Sequence, residues 1–334
     1  MDQKNVVTIG GGKGQGTILQ GLTKLSKSLD ITAIISTFDN GGSTGRIREE
    51  LGIPSFGGDF RDVMTSLSEE KELIELFQHR YEYGKEIKGH SVGNLILLGL
   101  LEQSNWEIPK AITLAKRILN ITADIIPSTL DNVHLIAEFT DGSIVKGQNQ
   151  IDDNLTRKYT EIAKIYTEPT AHAYPAAIRA ITNADALILC PGDLYGSLLC
   201  NLIVEGIPEA IARSKAKIIY VVNLMTKINQ TDGWKASKFI KEVQKYLPRQ
   251  IDYVILNTGK LTEKITGKAQ YVSEGWNMVE NDIQEDKFNN TIIIKDELLL
   301  EGKEFKRVST DVIPRSFIRH DTSKIAQIIK DLLV

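Results

Sequence analysis

The chain has 334 residues, of which 42% are hydrophobic and 25% charged, and its formal net charge is -3 at pH 7. This composition is typical of a globular protein with a large core, and the small net charge gives no electrostatic basis for binding nucleic acid or an acidic membrane. The lack of an apolar run of 18 or more residues predicts no membrane insertion. No signal peptide is visible, and Cys190 and Cys200 are too few for a disulfide scaffold, so we expect a cytoplasmic protein.

The first predicted elements are a strand at residues 5–9, a glycine-rich loop and a helix over residues 15–28. The loop at residues 10–16 reads GGGKGQG. It fits neither the dinucleotide pattern GxGxxG nor a Walker A loop, because Thr17 stands where Walker A needs Lys. Glycine lets backbone N–H groups approach an anion, and a helix N-terminus adds unpaired donors; the alternative is a turn that serves packing alone. The predicted phosphate contacts are Gly11, Gly12, Lys13 and Gly14.

A second strand, at residues 31–37, leads to the loop DNGGSTG at residues 39–45, from which a helix is predicted to run to Leu51. Asp39 ends the strand where the ribose-binding acid of a dinucleotide site would stand. A carboxylate beside a nest of amides suggests a metal ion or a substrate hydroxyl held near phosphate oxygens. The alternative is a turn that Asp39 and Asn40 begin. The predicted phosphate contacts in this loop are Gly41, Gly42, Ser43 and Thr44.

Two further polar segments precede predicted helices. Asp59 follows a Gly-Gly pair and is predicted either to cap a helix through Leu67 or to be a second metal ligand. The segment GHSVGN at residues 89–94 opens a strongly apolar helix. Asn94 is predicted to face the ligand, and helix capping by Ser91 or Asn94 is the alternative. Other helices are predicted at residues 69–78 and 107–119.

The pattern then changes from helical to extended. Extended segments are predicted at residues 123–127 and 133–139, and TDGS at residues 140–143 is a strong turn signal. We predict an antiparallel insertion at about residues 123–170, carried by a single α/β domain that spans residues 1–334.

The alternation of strands and helices returns after residue 175. Strands are predicted at residues 186–190, 217–222 and 252–256, and helices at residues 176–183, 207–214, 234–247 and 322–333. This alternation predicts a doubly wound, mostly parallel sheet with its ligand at the carboxyl ends of the strands. Residues 260–315 give no clear pattern.

Two more polar loops at strand ends complete the predicted site: PGDLYGS at residues 191–197 and the segment 223–233. Four such loops at one edge of a sheet are hard to explain by packing alone. The triplet RHD at residues 319–321 has two interpretations, in which Asp321 caps the last helix or Arg319 enters the cleft. These segments add the following residues to the predicted nucleotide site: Gly192, Asp193, Leu194, Tyr195, Ser197, Asn223 and Arg319.

Several of these segments recur together, in this order, in one known family. They are GGGxG near the start, DxGGSTGRxREELGIP at residues 39–54, GHSxGNL at 89–95, PSTL at 127–130, PGxLYxS at 191–197, NLMT at 223–226, TDG at 231–233 and RHD at 319–321. Over essentially the whole chain they resemble the gluconeogenesis factor family (YvcK-like proteins). That family is a sister of the CofD-like 2-phospho-L-lactate transferases of deazaflavin cofactor synthesis.

The resemblance implies a Rossmann-like fold, usually dimeric, with a ligand cleft at the strand ends. In the transferase branch, a phospholactyl group moves from a guanosine diphosphate carrier to a deazaflavin alcohol, with Mg²⁺ near the residue that matches Asp39. In the gluconeogenesis factor branch, it implies UDP-sugar binding and a requirement for normal cell shape and for growth on gluconeogenic carbon sources.

Two classes of function therefore remain. The first is a UDP-sugar-binding protein, which we favour. The second is a Mg²⁺-dependent phospholactyl transferase, in which Asp39 would be the catalytic residue that holds the metal. Asn40 favours the first class, because it replaces a second Asp of the family pattern. Asp193 replaces a Ser or Asn of that pattern, and its charge beside phosphates would have to be offset by a metal or by Lys13.

Overall fold

An eight-stranded sheet forms the centre of the computed structural model, which describes residues 3–25, 27–152, 160–228, 230–261, 277–300 and 318–333. Its strands, in spatial order, are β10 (Lys287–Phe288), β11 (Thr291–Asp296), β9 (Tyr253–Asn257), β8 (Lys217–Val221), β7 (Ala186–Leu189), β1 (Lys4–Gly10), β2 (Leu29–Ile35) and β3 (Asp124–Pro127). Neighbouring strands pair in parallel except β10 and β11. The predicted mostly parallel, Rossmann-like α/β fold is therefore confirmed.

The strand order reverses beside β1. From β1 the chain builds β2 and β3 on one side, then returns to β7 on the other side and continues outward through β8 and β9. In open α/β sheets the loops diverge at such a switch point and leave a crevice at the carboxyl ends of the strands. The topology alone therefore places a crevice above β1 and β7.

Helices cover both faces of the sheet. They are α1 (Gly12–Thr23), α2 (Gly42–Leu51), α3 (Gly58–Leu67), α4 (Lys71–Gln78), α5 (Val92–Gln103), α6 (Ile108–Ile118), α7 (Gln148–Asp152), α8 (Pro175–Asn183), a π-helix (Leu194–Leu199), α9 (Cys200–Leu202), α10 (Ile207–Arg213), α11 (Ala236–Lys245) and α12 (Thr322–Leu333). Successive residues of a strand point to opposite faces. Accordingly, Val6 belongs to one buried cluster, and Val7 and Ile9 belong to the other.

A separate three-stranded antiparallel sheet lies against the main body. Its order is β5 (Ile144–Lys146), β4 (His134–Phe139) and β6 (Ile162–Glu168). Leu135 and Ile165 are buried in the same cluster as residues of β7 and β8, so the two sheets share a core. The predicted insertion began too early, because Asp124–Pro127 pairs in parallel with β2 as the edge of the main sheet. Residues 153–159 of the predicted insertion lie outside the described residues.

Several elements differ from the sequence-based expectation. β11 lies within residues 260–315, where no strand was predicted, and it pairs in parallel with β9. The first helix begins at Gly12 and ends at Thr23, whereas residues 15–28 were predicted. It begins earlier because Gly12 adopts a positive φ of 55°, which lets the chain turn from strand into helix inside the glycine loop.

Candidate functional site

The loops that follow β1, β2, β7 and β8 meet at the carboxyl edge of the sheet and line one cavity of about 280 Å³. The sequence predicted these four loops to lie together, and the structure brings them together. The predicted residues that line the cavity are Gly11, Gly12, Lys13, Gly14, Asp39, Gly41, Asp59, Gly192, Asp193, Ser197, Asn223 and Arg319. The other predicted residues do not line the cavity: Gly42 is exposed, and the rest are buried, namely Ser43, Thr44, Asn94, Leu194 and Tyr195.

Three helices begin at the cavity. The N-cap residues of α1 and α2 are Gly11 and Gly41, and α3 follows Gly57 with Gly58 at the wall. None of these three helices has a side-chain cap. A helix N-terminus carries unpaired N–H groups and a partial positive charge, which together favour an anion. The N-termini of these three helices therefore favour negative charge in the cavity.

Close packing of the glycine loop explains part of its composition. A Cβ on Gly14 would lie 2.0 Å from the carbonyl oxygen of Pro191 and 2.8 Å from Cα of Gly192. A Cβ on Gly11 would lie 2.4 Å from Oδ2 of Asp59. The loops after β1 and β7 and the start of α3 therefore approach each other more closely than side chains would allow.

Asp39 and Asp59 place two carboxylates beside these helix N-termini. Oδ1 of Asp39 accepts a hydrogen bond from the Gly41 amide (2.9 Å), and Oδ2 of Asp59 accepts one from Ser36 Oγ (3.0 Å). The predicted capping role of Asp59 is wrong, because Gly57 is the N-cap and Asp59 lies in the first turn of α3. A carboxylate in the first turn is favourable next to the partial positive charge there.

Asp39 and Asp59 are also the candidate ligands of the Mg²⁺ that the resemblance implies. In the described part of the chain, no group of three or more His, Cys, Asp or Glu residues could hold a metal ion. Mg²⁺ is often held by only one or two carboxylates, with substrate phosphates and water as the other ligands. Asp39 and Asp59 therefore fit a Mg²⁺ site that a bound phosphate would complete, and they do not form one by themselves.

Ser43, Thr44 and Asn94 form a buried network behind the second loop. The Asn94 amide nitrogen donates to Ser43 Oγ (3.1 Å) and Thr44 Oγ1 (3.3 Å), and its Oδ1 accepts from Arg61 (3.0 Å). Thr44 Oγ1 also accepts from the Gly58 amide (2.9 Å). This network joins α2, α3 and α5. Ser91 caps α5 by accepting from the Asn94 amide, as the alternative interpretation proposed.

Leu194 and Tyr195 belong to the core. Both side chains are buried in the π-helix, and Tyr195 Oη donates to Glu242 of α11 (3.2 Å). Burial, followed by the nearby Glu242 carboxylate, raises the pKa of Tyr195 far above its usual value. The phenol is therefore neutral, and its hydrogen bond to Glu242 connects the loop after β7 to α11.

A partly buried ion cluster lies beside the loops after β7 and β8; we call Asp152, Asp193 and Lys227 the Lys227 cluster. Lys227 Nζ contacts Asp152 Oδ1 at 2.7 Å and forms a second ion pair with Asp193. Burial would raise the pKa of Asp193, but Lys227 holds it below its usual value. Burial and the charge of Asp193 raise the pKa of Asp152 to about 7. Lys227 therefore offsets Asp193, a role that the sequence assigned to a metal or to Lys13.

Helix α7 brings residues of the antiparallel sheet to the cavity, and the sequence analysis missed them. Gln148, Asn149 and Asp152 line the wall. Asn40 fixes this helix, because its Oδ1 accepts from the Asn149 amide (2.7 Å) and its Nδ2 donates to Gln150 (2.9 Å). Asn40 thus ties the loop after β2 to α7.

The segment before α12 also lines the cavity. Asp321 Oδ1 accepts from the amides of Ser323 (3.0 Å) and Lys324 (3.1 Å), while Arg319 lines the cavity. Both interpretations of the RHD triplet therefore hold. His320 also lines the cavity and its Nε2 donates to the Val222 carbonyl (3.2 Å). Burial lowers the pKa of His320 to about 4, so its imidazole is neutral near pH 7.

Both cysteines are buried, as expected for structural residues. Burial raises the pKa of each thiol above its usual value. A protonated thiol is a poor nucleophile, so neither residue is a candidate for covalent chemistry. Within the ranges that the structure describes, no helix combines the length and apolarity needed to span a bilayer.

The sheet and its cavity define a Rossmann-like α/β protein with a cavity at the topological switch point, where three helices begin. The family model described as 2-phospho-L-lactate transferase CofD matches residues 6–299. The chain belongs to this CofD family, in the group of the gluconeogenesis factors. The family resemblance that the sequence motifs carried is thereby confirmed.

Individual relatives match along nearly the whole chain. The gluconeogenesis factor of Bacillus subtilis (strain 168) is 35% identical over 337 residues, covering 100% of this chain and 99% of that protein. The gluconeogenesis factor of Halalkalibacterium halodurans is 35% identical over 332 residues, covering 98% of this chain and 96% of that protein. A crystal structure of a Bacillus halodurans protein aligns with a TM-score of 0.87 and 33% identity, covering 98% of this chain and 100% of that one.

Proposed function

We propose that the protein binds a nucleotide sugar of the UDP-sugar type in this cavity and acts by binding. The main support is the convergence of the N-termini of α1, α2 and α3 on one cavity. Three such N-termini suit a ligand with two adjacent phosphates. The choice of a UDP-sugar rests on the resemblance to the gluconeogenesis factors.

Arg319 supports the same proposal as a cationic residue of the cavity wall. Its guanidinium belongs to the lining, and Arg recognises phosphate oxygens through two parallel hydrogen bonds. A pyrophosphate held between helix N-termini and a guanidinium would be neutralised without a metal.

The alternative is a Mg²⁺-dependent phospholactyl transferase. Asp39 and Asp59 fit a phosphate-completed Mg²⁺ site, which keeps this alternative testable. Asn40, however, forms hydrogen bonds to α7 through both its amide oxygen and its amide nitrogen. The position of a second Asp in the family pattern therefore connects the loop after β2 to α7 in this chain. We therefore prefer the binding function.

The proposal is tested by isothermal titration calorimetry with UDP-N-acetylglucosamine, GDP and NAD, each with and without Mg²⁺. We expect UDP-N-acetylglucosamine to bind most tightly and to retain its affinity when Mg²⁺ is removed. Tight binding of GDP that requires Mg²⁺, together with turnover of a deazaflavin acceptor, would establish the transferase instead.

The variant Arg319→Gln tests whether the ligand binds within the cavity. A charge-assisted hydrogen bond contributes about 1.5–3 kcal/mol, so affinity for UDP-N-acetylglucosamine should fall roughly tenfold or more. The matched control is Arg213→Gln, because Arg213 is exposed on α10, away from the cavity. Equal affinities of both variants and the parent protein would mean that the ligand binds elsewhere.

We further propose a cytoplasmic homodimer that supports cell morphogenesis and growth on gluconeogenic carbon sources, as the resemblance implies. Light scattering after size-exclusion chromatography should give twice the chain mass of 37.2 kDa. A strain that carries only Arg319→Gln should grow poorly on gluconeogenic carbon, whereas one with Arg213→Gln should grow normally.

A further inference from the structure

Part of the cavity wall is apolar and is not used by the predicted phosphate contacts. Leu224 and Met225 of the loop after β8 line the cavity, and so does Ile318 of the segment before α12. All three belong to one small buried cluster, so they form a single apolar patch. Ligand pockets typically combine such a patch with a few polar groups that orient the ligand.

His320 is a polar residue of the wall next to this patch. It is 5% exposed, and its backbone pairs with that of Leu299, a further member of the same cluster. Its Nε2 lies 3.2 Å from the carbonyl oxygen of Val222, two residues before Leu224. Because a carbonyl oxygen can only accept, this contact fixes the tautomer that carries its hydrogen on Nε2.

Nδ1 of this tautomer is a hydrogen-bond acceptor. Since burial lowers the pKa of His320 to about 4, the ring carries no second hydrogen near pH 7. Within the described part of the chain, the imidazole makes a hydrogen bond through Nε2 and none through Nδ1. A buried acceptor without a donor costs free energy. A ligand group with an N–H or O–H beside His320 would supply that donor.

We infer that His320 accepts a hydrogen bond from the ring N–H of a uracil base whose face packs against Leu224, Met225 and Ile318. The inference rests on the proposed function and specifies how the base of the ligand is recognised. Bases are commonly bound by contacts to their faces and hydrogen bonds to their edges, and a methionine sulfur packs favourably against an aromatic ring.

Uracil matches both features of this part of the wall. Its faces are apolar, and in a nucleotide it keeps one ring N–H, at N3, which can donate to Nδ1. A hexose fits less well, because its hydroxyl groups would lose their hydrogen bonds to water against the apolar patch. The patch and His320 therefore receive the base, which leaves the glycine loops and Arg319 for the phosphates.

Uridine diphosphate and its N3-methyl derivative test this inference, because the methyl group removes the N–H and leaves the charge of the diphosphate unchanged. The 5-methyl derivative is the matched control, since it carries a methyl group of the same size and keeps the N–H. Calorimetry at pH 7 should show the N3-methyl ligand binding at least about tenfold more weakly than the 5-methyl ligand.

The other outcomes separate the inference from the proposed function. Equal affinities for the two methylated ligands would overturn the inference, whether or not both bind more weakly than uridine diphosphate, and would leave the proposed function intact. Failure of all three ligands and of UDP-N-acetylglucosamine to bind would overturn the proposed function itself.

His320→Gln tests whether the imidazole causes the discrimination. The Gln amide nitrogen can take the place of Nε2 and donate to the Val222 carbonyl, and no atom then replaces Nδ1. The preference for the 5-methyl over the N3-methyl ligand should therefore shrink several-fold. His172→Gln should leave the preference unchanged, because His172 is exposed and does not line the cavity. An unchanged preference in His320→Gln would exclude His320 as the acceptor.

A measurement on the parent protein covers the case in which His320→Gln does not fold. Uridine diphosphate labelled with nitrogen-15 at N3 reports directly on the proposed hydrogen bond by nuclear magnetic resonance. The imino proton of the bound base should be visible, because a hydrogen bond to a buried acceptor slows its exchange with water. An imino proton that exchanges too fast to be observed in the saturated complex would also count against the inference.

Discussion

Gly14 sets the distance between the loops after β1 and β7. Because a Cβ there would overlap the Pro191 carbonyl oxygen, which belongs to the backbone, the two loops would have to separate. Gly14→Ala should therefore destabilise the protein by about 1–3 kcal/mol and weaken nucleotide binding, as measured by urea unfolding and calorimetry.

Gly99→Ala is the control for this change. Gly99 lies in α5, and outside the neighbouring backbone of that helix no atom of the described residues lies within 4 Å of the position of its added Cβ. Ala is the better helix former, so this variant should gain about 0.5–1 kcal/mol. Loss of stability in both variants would show that the Gly14 effect is not caused by the loop contact.

His320 makes the free energy of unfolding depend on pH. Its pKa is about 4 in the folded protein and near 6.5 when exposed, so the unfolded chain binds the proton more readily between these values. The stability from neutral His320 is present above pH 6.5 and is lost as the pH falls towards 4. Between pH 7 and pH 5 the loss should be on the order of 2 kcal/mol.

His320→Gln tests this dependence, since the Gln amide can still donate to the Val222 carbonyl. Urea unfolding at pH 7 and pH 5 should show that the parent protein loses more stability on acidification than the variant. Parallel losses in the two proteins would contradict a buried, neutral imidazole.

Sequence reasoning located the glycines and Asp39 because each follows an apolar run directly. It missed Lys227 and Asp152, because a pair of opposite charges that lie far apart in sequence leaves no local pattern. It misplaced Tyr195 for a related reason. A tyrosine in a polar loop can face the ligand or the core, and only the position of Glu242 on α11 decides between them.

At the scale of elements, Asn94 holds three helices in register, and we predict a structural effect for Asn94→Ala. The change removes the partner of Arg61 and the donor to Ser43 and Thr44. A buried group left without its partner costs about 1–3 kcal/mol. Thermal unfolding should show this loss, whereas Arg319→Gln should change affinity with little effect on stability.

Gln103→Ala provides the amide-to-alanine control in the same helix. Gln103 is exposed at the end of α5, so its replacement should stay within about 0.5 kcal/mol of the parent protein. Equal stability of Asn94→Ala and Gln103→Ala would show that the hydrogen bonds of Asn94 do not hold α2 in position.

Most strands were predictable because buried parallel strands are continuous apolar runs, as in the Ala186–Leu189 segment. β11 was not predictable, because its apolar run comprises only Ile292, Ile293 and Ile294 and the flanking residues are polar. β3 was found but assigned to the wrong sheet. A four-residue strand does not reveal whether its partner runs parallel or antiparallel.

At the scale of the whole molecule, the antiparallel sheet and the main sheet should unfold together. Leu135 of β4 is fully buried in the cluster that also holds Trp234 and residues of β7. Leu135→Ala should therefore cost about 2–5 kcal/mol and shift one common transition. Far-UV circular dichroism and tryptophan fluorescence should report the same midpoint in urea.

Ile144→Ala is the matched control in the same small sheet, because the Ile144 side chain is 59% exposed. It should change stability by about 0.5 kcal/mol or less. Two separate transitions in the parent protein would show that the antiparallel sheet is an independent domain, contrary to the single-domain prediction.

The cavity draws its walls from residues as far apart as Gly11 and His320, and this spacing has a consequence for synthesis. Domains emerge from the ribosome N-terminal end first, so the glycine loops are exposed long before Arg319 and His320 are translated. A metabolite that binds the finished site cannot stabilise the nascent chain until the ribosome has passed residue 320. Metabolite supply would thus affect the lifetime of completed molecules and leave the early steps of folding unaided.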